Sequence, residues 1–504
     1  MSRAWLKGAL AAGLLLAFIR AQQPAAPARL EAVFDARAPG RPFPHFWEQM
    51  FGSGRAILSL RDSYRRDLRA VREITGFSYV RFHAIFDDET GFYSAGAQGA
   101  SLNFSYVDQI YDGLIENGVR PFVEMSFMPR DLSDSAHVHA FWYQPLPNPP
   151  KSYDAWGEMV YAFARHLVDR YGAEEVGKWY FEVWNEPNID FWTGEPKQST
   201  YFQLYDAAAR AVKRAGPLRV GGPATAQAAW IPAMIAHAES AKVPLDFVST
   251  HVYANDTAGD VLGTQERVSS RGMVWRAVRK VYDEVRRSAR PDIPIIWSEY
   301  NASYKNEVDV TDAPFMGPWL ANTIRECDGL QTMMSYWTFS DVFEEQGVVK
   351  KPFYGGFGLM AAGGIPKAAF NDFALLHRLG AERLTSDRNE VPWALATRRQ
   401  DGTLAIAVWN YAEPEETGHP ADFRLAIESG AGLHRVQITI VDRAHGSSLT
   451  TWEAMNRPAS VSREQLKTLR AGGSMPRPEI RVFNRRSIDL HLEPHALALV
   501  ELLR

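Results

Sequence analysis

Two glutamates in this sequence sit in settings suited to acid, base or nucleophilic work on a polar bond. Glu186 lies in Trp184-Asn185-Glu186-Pro187-Asn188, and Glu299 lies in Trp297-Ser298-Glu299-Tyr300-Asn301. Cleavage of a glycosidic bond with retention needs such a pair. One carboxylate attacks the anomeric carbon while the other protonates the leaving oxygen and then activates water, at a separation of about 5–5.5 Å. The acid must hold its proton near neutral pH, which an apolar surround and a nearby negative charge both favour. Trp184, Pro187 and Trp297 supply apolar neighbours. The plain alternative, a buried glutamate paired with an arginine, has to explain two such motifs at once.

These residues are 113 positions apart (299 − 186), so the fold must bring them together. Short apolar, β-rich runs alternate with amphipathic stretches from about residue 45 to 375. Candidate strands lie near Phe46–Phe51, Tyr79–Ile85, Pro121–Ser126, Trp179–Val183, Arg219–Gly221, Phe247–Thr250, Pro294–Trp297 and Thr332–Trp337. Between them, Trp156 to Tyr171 and Val274 to Arg287 carry apolar residues at helical spacing. Eight such repeats predict an α/β fold, a (β/α)8 TIM barrel with loop insertions. The rival, a doubly wound open sheet, lacks a glycine-rich dinucleotide fingerprint after any strand. In a barrel, chemistry gathers at the C-terminal strand ends. Here those ends carry Arg81 and His83, Glu124 and Ser126, Asn185 and Glu186, His251 and Tyr253, Glu299 and Asn301. The eighth strand leads to Ser340, Asp341, Glu344 and Glu345. So many ionisable groups on an apolar scaffold are costly to bury without a use. Strands four and seven face each other, so Glu186 and Glu299 can meet over one substrate.

The rest of the chain bounds the answer. Its 504 residues suit a large catalytic domain (45–378) and a smaller one (379–504). In the latter, Thr403 to Tyr411, Arg435 to Val441 and Ala496 to Leu503 alternate apolar and polar residues, as in an antiparallel β-sandwich. Residues 30–44 are expected to add a strand to it. Residues 1–21 have the basic start and short apolar run of a signal peptide, and 22–29 form a spacer. The enzyme body is therefore expected to be secreted or periplasmic, with the leader kept as an anchor in the alternative case. No other segment suits a membrane span. A net charge of −4 gives nucleic acid no basic surface to bind. Cys327, the one cysteine, permits no intrachain disulfide or cysteine-rich metal site and reads as a core residue of a helix. The 15 Trp, 19 Tyr and 27 Phe suit sugar stacking and a large core equally well.

Many blocks in order resemble one family. They include Phe46-Trp47-Glu48, Gly52-Ser53-Gly54-Arg55-Ala56, Tyr79-Val80-Arg81-Phe82-His83, and Phe181 to Asn188. Asp246-Phe247-Val248-Ser249, Trp297 to Asn301, Tyr336 to Glu345, Phe353 to Leu359 and Ile365-Pro366-Lys367 follow. The chain is similar to glycoside hydrolase family 39, the β-xylosidases and α-L-iduronidases, and closer to the former. The resemblance implies Glu186 as acid/base and Glu299 as nucleophile, with Asn185 at the sugar 2-hydroxyl. It implies His83, His251, Tyr253 and Glu345 around the glycone, with Glu344 and Trp337 as further substrate contacts. Of the adjacent Glu344 and Glu345, one is expected to face sugar and the other a basic residue, Glu345 being the one for sugar. Phe127 and Trp142 are candidates for aglycone stacking, and Arg81 for orienting a carboxylate. The resemblance implies an exo-acting enzyme on a glycoside or oligosaccharide, no cofactor and no metal, and admits a homo-oligomer.

Tyr253 stands where the iduronidase pattern has a lysine, which turns the expectation from a uronate toward xylose. Ala84, where glycine is usual, and Asp88-Glu89-Thr90 depart from the xylosidase pattern and keep an arabinoside or galactoside as alternatives. A carbohydrate-binding protein without activity is the reading from another class, and both glutamates speak against it. A metal-dependent hydrolase would need a ligand cluster such as HExxH, which is absent from the sequence.

Overall fold

Eight short parallel strands close on themselves in sequence order. They are Met50–Gly52, Tyr79–Phe82, Arg120–Met125, Tyr180–Val183, Arg219–Thr225, Phe247–Tyr253, Ile295–Asn301 and Met333–Tyr336. The structure, a computed structural model, describes residues 29–97, 99–384, 390–484 and 487–504. The expected signal peptide and all of the spacer but Arg29 lie outside the described residues. The first strand is shorter than its sequence suggests, because Phe46–Glu48 turn into a 3-10 helix before it. Helices follow the strands, among them Tyr153–Tyr171, whose first turn is capped by the Ser152 hydroxyl accepting from the Ala155 N–H. Ser270–Arg286 is another. Cys327 ends the helix Met316–Cys327 and is buried.

The barrel interior is filled in layers. At the lower level Met50, Tyr79, Phe122, Tyr180, Phe247, Ile296 and Met333, one from each of seven strands, form an apolar plug. The fifth strand contributes Gly221, where a Cβ would fall 2.7 Å from the Phe247 ring. Any larger residue would break that plug. Toward the C-terminal strand ends the interior turns polar, with Arg81, Glu124 and Glu182 all buried. The change is what positions a site: apolar packing below fixes the strands that carry charge above.

Two further sheets carry the remaining chain. A seven-stranded antiparallel sheet runs from Gly40–Pro42 through Glu382–Leu384, Ala394–Arg398, Leu404–Trp409, Leu497–Leu503 and Arg435–Val441 to Glu479–Val482. The second sheet pairs Arg29–Asp35 with Ala421–Glu428 in parallel, and the latter with Ser487–Leu492 in antiparallel register. The antiparallel sandwich thus takes its leading strand in parallel register, because that strand enters from outside the hairpin order. Leu404–Trp409 also departs from alternation, being buried throughout. Leu404, Ile406 and Val408 pack into the sandwich core, while Ala405, Ala407 and Trp409 pack toward the barrel. A strand covered on both faces has no solvent side to make polar. Two helices, Ser448–Ala454 and Arg463–Gly472, interrupt this region and pack on Phe353, Ala361 and Ile365 behind the eighth strand.

Candidate active site

The strand that ends in Val183 runs directly into Trp184-Asn185-Glu186, and the backbone there is unusual. Trp184 (φ 72) and Glu186 (φ 44) both occupy the left-handed region, where side chains other than glycine cost roughly 1–2 kcal/mol. Local bonds hold the turn. The Trp184 indole donates to Phe191 O (2.8 Å), and the Glu186 N–H donates to Ala224 O (2.8 Å). Asn188 accepts from the Ala226 N–H (2.9 Å) and donates to Ala226 O (3.1 Å), tying this loop to the one after strand five. The motif therefore spends its tryptophan and last asparagine on presenting the glutamate between them.

Opposite, strands six and seven change register between Thr250 and His251. His251 pairs with Glu299, leaving Ser298 as the extra residue. Such bulges re-aim side chains at barrel rims. The result is a His251 ring spanning both motifs: Nδ1 lies 2.9 Å from Glu186 Oε1 and 3.7 Å from Glu299 Oε1, and Nε2 lies 3.1 Å from Ser298 Oγ. One ligand atom each from Glu186, His251 and Glu299 lie within 4.8 Å of one another. That spacing could hold a cation, but Glu299 Oε1 already faces the Arg81 guanidinium, whose charge opposes a second cation there.

Arg81 is the hub beneath the site. It donates to Glu299 Oε1 (2.7 Å), Glu182 Oε2 (2.6 Å) and Asn185 Oδ1 (2.9 Å), and pairs with Glu124 (2.9 Å). With its oxygen occupied, Asn185 has its amide N–H groups to offer to the cavity. The Tyr253 hydroxyl donates to Glu299 Oε2 (2.6 Å), so both oxygens of Glu299 are held by donors. His83 Nδ1 bonds Glu124 (2.6 Å), and Nε2 stands 3.8 Å from both Glu299 and Glu345. Burial raises the Glu124 carboxyl, but Arg81 and His83 more than offset this, and the net shift is downward.

The charge states separate. Burial, the Glu299 charge and the Asp256 charge push the Glu186 carboxyl well above its usual range. Burial, with Arg81 and His83 nearby, pushes His251 well below its usual value, so its ring is neutral at pH 7. A charged imidazole beside Glu186 would have held that carboxyl down. Burial together with Glu299 and Glu124 raises Glu345 as well.

His83, Asn185, Glu186, Tyr253, Glu299, Trp337 and Glu345 line one cavity of about 380 Å³; His251 lies behind its wall. Trp337 crosses the end of the first strand at Gly52, where no Cβ could fit beside its ring. Glu344 is not brought in. At φ 66 it turns away and pairs with Arg61 (3.0 Å) and Arg55 (3.5 Å), leaving Glu345 facing the cavity. Neither aglycone candidate is among the residues that line the cavity. Phe127 is buried behind Trp184, and Trp142 stands outside over Arg55, whereas Phe141 and Phe191 form the aromatic wall. Sequence reasoning also missed His139, Asp190 and Asp256 of the lining. They lie on loops, where no periodicity marks direction. Glu182 was findable, as a charge inside an otherwise apolar strand. Ala84 takes φ 72, a conformation that accounts for glycine being usual there.

Comparison with known proteins agrees with this geometry. The description Glycosyl hydrolases family 39 matches residues 31–487. A beta-xylosidase of Caldicellulosiruptor saccharolyticus is 34% identical over 470 residues, 90% of this chain and 94% of that one. A beta-xylosidase of Geobacillus stearothermophilus is 35% identical over 460 residues, 88% and 89% of the two chains. The crystal structure of a monomeric beta-xylosidase from Caulobacter crescentus CB15 superposes with TM-score 0.84 at 30% identity, over 94% of this chain and 99% of that one. With its barrel, its facing glutamates and these likenesses, the chain belongs to family 39 of the glycosyl hydrolases, on the side of the xylosidases, and is a glycoside hydrolase.

Proposed function

We propose that this enzyme is a retaining exo-β-xylosidase that releases xylose from xylo-oligosaccharides outside the cytoplasm. The observation that carries the mechanism is the approach of Glu186 and Glu299 oxygens to within 4.8 Å. That spacing fits direct attack by one carboxylate and is too short for the water that inverting enzymes place between carboxyls about 6.5–9.5 Å apart. Glu299, oriented by Arg81 and Tyr253, attacks the anomeric carbon as Glu186 gives its proton to the leaving oxygen. The ester formed on Glu299 removes that negative charge, so the Glu186 pKa falls and the same group can take a proton from water.

The substrate reading rests on the cavity. Among the described residues no lysine or arginine lines it, so a uronate would enter without a cation, facing Glu345. Its volume lies near the lower end of the roughly 300–1,000 Å³ usual for ligand pockets, which suits a terminal sugar and its leaving group. The two full-length relatives named as beta-xylosidases point the same way. The test is a set of aryl glycosides compared by kcat/KM, with NMR of the first product. β-Xyloside should be the best substrate, above α-L-arabinoside, β-galactoside and α-L-iduronide, and β-xylose the first anomer released. A first-formed α-anomer would refute retention, and a better galactoside would refute the glycone.

A pH prediction follows from Asp256, which lines the cavity and accepts from the Tyr253 N–H (2.8 Å). Burial raises its carboxyl to about 7. Its negative charge helps to keep Glu186 protonated. Activity is lost as pH rises through the Glu186 pKa, so Asp256→Asn should move the alkaline limb of kcat/KM to lower pH. An unmoved limb would show that Asp256 does not tune the acid.

A further inference from the structure

A second cluster of ligand side chains lies at the other end of the barrel. His45 and Glu48 flank the 3-10 turn that enters the first strand, and His377 is the last residue of the helix Ala368–His377 that closes the barrel. Both imidazole Nδ1 atoms point at one oxygen, Glu48 Oε1, from 2.6 Å (His45) and 2.8 Å (His377). Glu48 is 3% exposed, and its other oxygen, Oε2, is buried without a hydrogen-bond partner. A buried carboxylate left half-satisfied is costly. The His45 ring is fixed by stacking on Trp47 (4.5 Å between centroids), and the His377 ring meets it edge-on (6.1 Å).

We propose that His45, Glu48 and His377 bind a divalent transition-metal ion, with zinc as the type case, at the mouth of the barrel opposite the catalytic cavity. Two imidazole nitrogens and one carboxylate oxygen are the donor set of open zinc sites. The three ligand atoms already lie within 4.8 Å of one another. Metal–ligand bonds of about 2.0–2.1 Å at tetrahedral angles set neighbouring ligands about 3.3 Å apart. The nitrogens therefore have to retreat from where they now bond Glu48, by roughly 0.5 Å for His377 and roughly 0.7 Å for His45. His377, 45% exposed at a helix end, has the freedom to do so. The ion takes the place of the proton on each Nδ1, each ring then carrying its proton on Nε2, and water completes the shell on the exposed side. It compensates the Glu48 charge and clamps the entry of the first strand to the last helix, so it acts on stability and not on the reaction.

The test uses the whole enzyme freed of metal by dialysis against a chelator and titrated with zinc chloride. One ion should bind per chain, with Tm rising with zinc concentration, because the ligand binds only the folded form. His377→Ala removes an exposed side chain without opening the core. It should weaken zinc binding at least about tenfold and abolish the zinc-dependent rise in Tm, with kcat/KM unchanged. His45→Ala should weaken zinc binding in the same way. Absence of saturable zinc binding by the wild type would overturn the proposal and leave a hydrogen-bonded bridge only. Binding that is undiminished in both variants, or that a bound glycoside displaces, would overturn it by placing the ion elsewhere. Neither result depends on which glycoside the enzyme cleaves.

Discussion

Replacing Glu299 with alanine is expected to lower kcat on an aryl β-xyloside by about 10⁴- to 10⁶-fold, or roughly 5.5–8 kcal/mol of barrier. The size follows from losing the bond-forming group itself, since Arg81 and Tyr253 remain but have no carboxylate to orient. Azide is a small anion that fits the space left by the carboxylate and attacks from the same face. It should restore turnover and yield the α-glycosyl azide. In Glu186→Ala the first step still proceeds for a good leaving group, and azide then attacks the ester on Glu299 from the other face. The β-glycosyl azide is the expected product there. The same anomer from both variants, or no rescue of either, would overturn the assignment of roles. Unfolding should not intrude on the Glu299 variant, because it removes one of three carboxylates gathered on the single Arg81 guanidinium. Its Tm should match or exceed the wild type, as expected where catalysis is purchased with stability.

The glutamates are legible in the sequence because strand pattern and motif coincide on them. A β-rich run ending in a polar residue fixes the level of Glu186 and Glu299 in the barrel, and the barrel fixes that both face one cavity. Glu345 is legible by parity alone: next to Glu344, only one of the pair can face inward. Which one does so depends on Arg55 and Arg61, far away in sequence, and on a positive φ at Glu344. The aromatic wall is of another kind. Phe141 and Phe191 sit on loops whose paths are set by contacts such as His139 stacked on Phe191 (4.1 Å), and no local pattern encodes these. In the sandwich, Arg435–Val441 is readable as a strand because its buried residues mostly alternate with less covered ones. Leu404–Trp409 hides its period because both of its faces are covered. The helix Arg463–Gly472 goes unread in a region whose strand signals dominate, although a capping box, Ser462 with Gln465, marks its start.

Lys367→Met should cost about 3–5 kcal/mol of stability, the range for leaving a buried ion pair without one partner. Lys367 is fully enclosed. Its ammonium stands 2.6 Å from Asp312 and 2.7 Å from Asp341, and donates to Gly356 O (2.8 Å). Asp312 in turn accepts from the Gly355 N–H and Asp341 from the Gly358 N–H, each at 2.7 Å. One cation thus joins the loop after strand seven, the extension of strand eight and the segment carrying Phe357, which lines the cavity. Two carboxylates on one ammonium leave a surplus negative charge, and burial, with repulsion from Asp312, raises Asp341 to about 7 despite Lys367. That result gives the variant a pH signature. A carboxyl raised in the fold favours the folded state while protonated, and that support is lost as pH climbs from about 3.9, the unfolded value, through the folded one. Without the ammonium both carboxyls are raised further. The Tm deficit of Lys367→Met should therefore be smaller at pH 5 than at pH 7, where both groups are pressed to ionise. KM should rise, since Phe357 and Glu345 hang from the segments released. Adding Asp312→Asn and Asp341→Asn should recover part of the lost stability by removing the stranded charges. If the triple variant were no more stable than Lys367→Met alone, charge would not be the cause. The loss would then belong to packing around the lysine stem, and the pH dependence should vanish with it.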